Sequence, residues 1–154
     1  MKTIFEYIKI AESNFPSDSL NIKRYEAELI LSDVLNLNRV DLYTKPNIVI
    51  TDKNNIQINS FFKRRINDEP LQHILGYAYF RNLKFFVNHN VLIPRPETEL
   101  LVNKALELIN KDDPIVFDIG TGSGAIALSI AYELKKSKVT AVDISEKALT
   151  IAKK

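Results

Sequence analysis

The sequence predicts an α/β chain in three parts: a small helical bundle over residues 1–75, a β-hairpin and linker over 76–93, and the first βαβα part of a parallel sheet over 94–154. Three observations predict it. Apolar residues at helical spacing, with capping residues between them, run through the front part. An aromatic stretch from Tyr77 to Val87 surrounds a polar pair, Arg81-Asn82, as a hairpin does. Three of the four glycines, Gly120, Gly122 and Gly124, crowd one turn between an apolar run and an apolar helical pattern.

Taken in order, Ile4, Phe5, Ile8 and Ala11 give a first helix that stops before Pro16. Asp18 or Ser19 caps a second, whose apolar face is Ala27, Ile30, Leu31, Val34 and Leu35. Asn36-Leu37-Asn38 breaks it, and Arg39 to Tyr43 makes one short turn ended by Pro46. Thr51 or Asp52 starts another helix carrying Ile56, Phe61, Phe62 and Ile66, with Lys63-Arg64-Arg65 as a solvated end. Pro70 suits the first turn of a brief helix that stops at Gly76.

In the hairpin, Tyr79, Phe80, Phe85 and Phe86 supply packing surface, and Asn82 tolerates a left-handed turn conformation. Two prolines hold Leu92 to Pro96 extended around Arg95, a residue read as a contact at a ligand mouth or as an ordinary helix-entry arginine. A helix from about Glu97 to Asn110 is expected to bury Leu100, Leu101, Ala105, Leu108 and Ile109. Pro114 to Phe117 opens a strand, Ala125 to Ala131 a helix, and Lys138 to Val142 the next strand. Ser145 is the expected cap of the last helix, with Glu146 in its favourable first turn.

Strand, glycine-crowded turn and helix N-terminus together form a Rossmann-like nucleotide-type site. The expected ligand residues are Asp118, Gly120, Thr121, Gly122, Ser123, Gly124 and Asp143. Glycines allow a sharp turn and close approach, and N–H groups at a helix start hold polar ligand atoms. The spacing Gly120-x-Gly122-x-x-Ala125 also fits the looser dinucleotide fingerprint. Asp118 argues against it, because a carboxylate there repels a pyrophosphate and attracts the ammonium and sulfonium of S-adenosylmethionine. Asp143 lies about 20 residues past the loop, where an acid reaches ribose hydroxyls in either case. The bland reading is a βαβ unit with a merely tight turn.

Beyond this turn the chain resembles the protein-(glutamine-N5) methyltransferase family that acts on peptide chain release factors. The resemblance is carried by Glu69-Pro70-Leu71-Gln72-His73-Ile74-Leu75-Gly76, by Val91-Leu92-Ile93-Pro94-Arg95-Pro96-Glu97-Thr98-Glu99, and by Asp118 to Gly124. It implies a class I methyltransferase sheet, S-adenosylmethionine as cofactor, a helical domain that docks the release factor, and methylation of the glutamine in a Gly-Gly-Gln loop. Acting on a ribosomal protein, or binding a release factor without modifying it, are the alternatives. The family's Asn-Pro-Pro-aromatic motif, which orients the substrate amide, is absent from these 154 residues. The chain is therefore expected to hold no catalytic residue of its own and to transfer no methyl group alone. It reads as a truncated front part of such an enzyme, with region 114–154 mobile or self-associating.

Composition excludes other classes. A net charge of +2 gives no case for nucleic acid. There is no cysteine, which excludes disulfides and thiol chemistry. His73 and His89 stand without acid or nucleophile partners at a recognisable spacing, so no metal site is expected. With 45% hydrophobic residues and no membrane-length run, a cytoplasmic globular protein is the expectation.

Overall fold

The computed structural model describes residues 2–45 and 48–154. The expected stop at Pro46 lies outside the described residues. The chain divides into two compact units, Met1–Leu75 and Gly76–Lys154.

The first unit is helical: α1 (Ile4–Asn14), α2 (Leu20–Leu35), α3 (Asp41–Thr44), α4 (Asp52–Ile66) and α5 (Leu71–Leu75). Local chemistry sets the boundaries. Thr3 and Glu6 form a capping box at the start of α1, Ser19 caps α2 and Thr51 caps α4. Asn36 ends α2 in a left-handed conformation, φ 53°. The core gathers Tyr7, Ile8, Ala11, Phe15, Ala27, Ile30, Leu31, Ile58 and Phe62. Tyr7 and Phe15 each set a ring against Phe62, with centroids 5.1 and 5.0 Å away.

Two charged side chains are built into this unit. Glu28 is buried and accepts from Arg39 Nε at 2.8 Å and from the Tyr43 hydroxyl. Arg65 is only 8% exposed. Its Nε and Nη2 reach the two carboxylate oxygens of Glu26 at 2.8 and 3.1 Å. The expected solvated end at Lys63-Arg64-Arg65 is thus corrected in part: Lys63 is exposed, whereas Arg64 is half-buried and Arg65 buried. Arg64 pairs with Glu69 through Nε at 2.7 Å, and Arg65 points inward because the half-buried carboxylate of Glu26 on α2 meets its guanidinium.

The second unit begins with the hairpin β1 (Tyr77–Phe80) and β2 (Leu83–Phe86), paired antiparallel with Phe80 opposite Leu83. Both turn residues are left-handed, Arg81 at φ 46° and Asn82 at φ 63°. That pair of angles is what a tight two-residue hairpin requires. The Arg81 N–H donates to Glu99 Oε1 at 3.0 Å, and its guanidinium reaches Asn103 and Glu133. Next come α6 (Pro96–Leu108), β3 (Ile115–Ile119), α7 (Ala125–Glu133), β4 (Lys138–Val142) and α8 (Glu146–Ala152). Strands β3 and β4 pair in parallel, with Asp118 opposite Ala141 and Ile119 opposite Val142.

Phe80, Phe85, Val102, Ala125 and Ile130 form one core here, with Val116 and Val139 packed against it. A second cluster joins Ala78, Val87, Val91 and Ile93 to Ala148 and Ile151 of α8. The buried stripe expected for α6 is corrected in part. Val102 is buried, and Ala105, Leu106 and Ile109 are half-buried, whereas Leu100, Leu101 and Leu108 are exposed. The leucine-rich helix has two apolar faces, and α7 with the hairpin packs on only one. Alternate β3 residues Ile115, Phe117 and Ile119 face outward on the other side of the strand, with Ile119 at 83% exposure. No helix among the described residues is long and apolar enough to cross a membrane.

Candidate cofactor-binding turn

The turn between β3 and α7 is held at its β3 end by the neighbouring strand. The carbonyl oxygen of Val142, the last residue of β4, accepts from Gly120 N–H at 2.8 Å and Thr121 N–H at 2.9 Å. Parallel pairing of β3 with β4 places that carbonyl there. Gly124 N–H closes the turn on Thr121 O at 2.9 Å.

Gly122 and Gly124 are needed for different reasons. Both have positive φ, 58° and 82°, which an L side chain rarely adopts. A Cβ on Gly122 would meet nothing within 4 Å, so this part of the turn faces open space. A Cβ on Gly124 would lie 3.2 Å from Leu128 Cδ1 and 3.3 Å from Ala152 Cβ, so its glycine lets α8 pack against the turn.

Two carboxylates brace the turn from opposite sides. Asp118, on β3, is 8% exposed and buried beneath it. Its Oδ2 accepts from the Thr121 hydroxyl at 2.7 Å and from Ala127 N–H at 3.2 Å. Asp143 follows β4. Its Oδ2 accepts from Gly122 N–H at 2.8 Å and its Oδ1 from Ser145 N–H at 2.9 Å. These backbone donors, Ser145 first and Gly122 second, hold the Asp143 carboxyl below the ordinary aspartate range. Ser145 in turn caps α8 by accepting from Ala148 N–H at 3.2 Å.

The structure therefore gathers all seven residues expected at the site. It also adds partners that sequence reasoning missed. Val142 and Ala127 enter through backbone atoms, for which side-chain identity gives no signal. The pairing of Thr121 with Asp118 had one available signal, a hydroxyl three residues beyond a carboxylate at a strand end. Among the described residues, no acceptor meets the N–H groups of Ser123, Ala125 and Ile126. Unpaired donors, left-handed glycines and open space above Gly122 fit a ligand with several polar acceptor atoms. Arg95 is exposed at the cap position of α6, with no side-chain capping bond. No group of three or more His, Asp or Glu among the described residues is arranged to hold a metal ion.

A helical front region, a hairpin and a partial α/β segment carrying this turn define a methyltransferase-type architecture, and relatives agree. The family described as PrmC N-terminal domain matches residues 6–76, and that described as ribosomal protein L11 methyltransferase (PrmA) matches residues 96–154. A release factor glutamine methyltransferase of Chlorobaculum tepidum is 37% identical over 99% of this chain and 54% of its own length. The protein of that name from Koribacter versatilis is 45% identical over 84% of this chain and 46% of its own length. The one from Coxiella burnetii is 43% identical over 84% of this chain and 47% of its own length. The chain is similar, over most of its length, to the N-terminal portion of release factor glutamine methyltransferases. It spans about half the length of the curated relatives it matches.

Proposed function

We propose that this chain supplies the docking domain and the cofactor-holding turn of an S-adenosylmethionine-dependent methyltransferase. Its substrate is the glutamine of a Gly-Gly-Gln loop in a peptide chain release factor. The observation that carries this reading is the match of residues 6–76 to the PrmC N-terminal domain, which sets the chain apart from methyltransferases sharing only the glycine turn. The bound cofactor would supply a methyl group on a sulfonium, a carbon open to attack by a weak nucleophile.

The chain's own residues bind and orient. Gly120 to Gly124 hold the methionine and ribose region, with the N–H groups of Ser123, Ala125 and Ile126 as donors. Asp143 meets the ribose hydroxyls with the lone pairs left over from Gly122 and Ser145. The first unit, residues 1–75, docks the release factor.

A glutamine amide is planar and poorly nucleophilic, so catalysis depends on orienting its nitrogen lone pair. The 154 residues contain no Asn-Pro-Pro sequence to do this. Incubation of the chain with release factor and labelled cofactor is expected to give binding of both and no methyl transfer. Robust transfer, or failure to retain the release factor in a pull-down, would refute the reading. One observation favours a second: residues 96–154 match a family named for ribosomal protein L11. A ribosomal-protein substrate predicts that the pull-down retains that protein in place of a release factor.

A further inference from the structure

We propose that Asp118 is a positioning residue that sets the shape of the glycine turn from beneath, through a single carboxylate oxygen, without touching the bound cofactor. The proposal rests on the cofactor reading above and assigns the division of labour between its two acids.

Three observations carry it. Both hydrogen bonds of Asp118 converge on Oδ2, one from the Thr121 side chain and one from the Ala127 backbone. Those donors lie on the two limbs of the turn, before and after the glycine pair at 122 and 124. One oxygen therefore fixes the separation of the limbs. Second, the N-cap of α7 is Gly124, which has no side chain and provides no capping bond. A helix start needs its first N–H groups satisfied. Asp118 satisfies Ala127 from the preceding strand and leaves Ser123, Ala125 and Ile126 unpaired for a ligand. Third, Asp118 is buried on the same side of β3 as Val116, which packs in the core with α7. A carboxylate so enclosed needs its hydrogen bonds inside the protein. Asp143, by contrast, is half-buried at the open side of the turn.

Because both bonds use one oxygen, asparagine in the same place can accept both through its own Oδ1. A positioning role therefore survives Asp118→Asn, and a direct ionic contact does not. The test measures amide exchange at Ala127 in the 154-residue chain without cofactor, and S-adenosylmethionine affinity by titration. Asp118→Asn is expected to change each by no more than about threefold. Asp118→Ala is expected to speed Ala127 exchange and weaken binding by about tenfold or more, the effect of a lost charge-assisted hydrogen bond. Thr121→Val, which removes one donor, repeats the test if Asp118→Ala does not fold; it is expected to loosen Ala127 and weaken binding severalfold. Asp118→Asn as damaging to binding as Asp118→Ala, with Ala127 still protected, overturns the proposal. So does unchanged Ala127 exchange in Asp118→Ala, or in Thr121→Val where that variant stands in. If the unaltered chain binds no S-adenosylmethionine, the cofactor reading fails, and Ala127 exchange still decides the role of Asp118.

Discussion

The carboxylate of Asp143 lies 2.8 Å from the backbone N–H of Gly122, joining the loop after β4 to the turn after β3. One oxygen holds the turn and the other holds the start of the last helix through Ser145. The acid best placed for a ribose is thus already fixed in orientation by its own backbone.

This relationship fixes a pH dependence. The folded state holds the Asp143 carboxyl below its ordinary value, so the unfolded chain binds the proton more readily. The stabilisation is complete above the unfolded value of about 3.9 and is lost as pH falls through the lower folded value. Titration of the Asp143 carboxyl carbon by NMR is expected to give a midpoint below that of an unstructured aspartate. Gly122 amide exchange should quicken over the same range. A midpoint at or above the ordinary value would contradict the bonding.

Gly122 and Gly124 should respond differently to alanine. Gly122→Ala meets open space and bears only the cost of a left-handed alanine, about 1 kcal/mol. Its methyl group enters the region assigned to the ligand, so affinity for S-adenosylmethionine falls by more than stability does. Gly124→Ala bears the same conformational cost and also presses on Leu128 and Ala152. It is expected to destabilise by about 2 kcal/mol or more. Thermal melts and cofactor titration of both variants check this; equal melts would count against the packing argument.

In the helical unit, Arg65 and Glu26 form an enclosed two-point ion pair. Arg65→Ala leaves the Glu26 carboxylate without its partner and is expected to cost about 3 kcal/mol, whereas Glu26→Ala is expected to cost less, because Asp68 Oδ1 still lies 3.3 Å from Arg65 Nη1. Chemical denaturation followed in the 1–75 region measures it. A cost under about 1 kcal/mol would place the pair with ordinary surface contacts.

The outward face of β3 predicts association. Ile115, Phe117 and Ile119 are exposed on a sheet that, among the described residues, has two strands, each with a neighbour on one side only. Exposed apolar strands with unpaired edges bind one another. Sedimentation of the 154-residue chain is expected to show concentration-dependent association, reduced by Phe117→Lys. A monomer at all concentrations would contradict this.

Much of this was legible in the sequence where local chemistry decides. Thr51, Ser19 and Ser145 cap the helices that their positions in the sequence predict, and the hairpin turns at Arg81-Asn82. Each depends on a few adjacent residues. What stayed hidden depends on distant neighbours. Arg65 reads as solvated within a basic run, and distant partners draw it inward, Glu26 at 39 residues and the carbonyl oxygen of Pro16 at 49. Leu100 and Leu108 look like core in a leucine-rich helix, but hydrophobicity alone does not say which of two apolar faces is covered. At the turn, glycines and acids could be read, yet the bonds that shape it run to backbone atoms of Gly122, Ala127 and Ser145.

The most direct test of the central claim is an NMR titration of the 154-residue chain with S-adenosylmethionine, matched by one with NAD. The account predicts saturable shifts of the amide resonances from Gly120 to Ile126 and of Asp143 with S-adenosylmethionine, and none at equal NAD concentration. An unmoved turn, or equal shifts with both ligands, would contradict it.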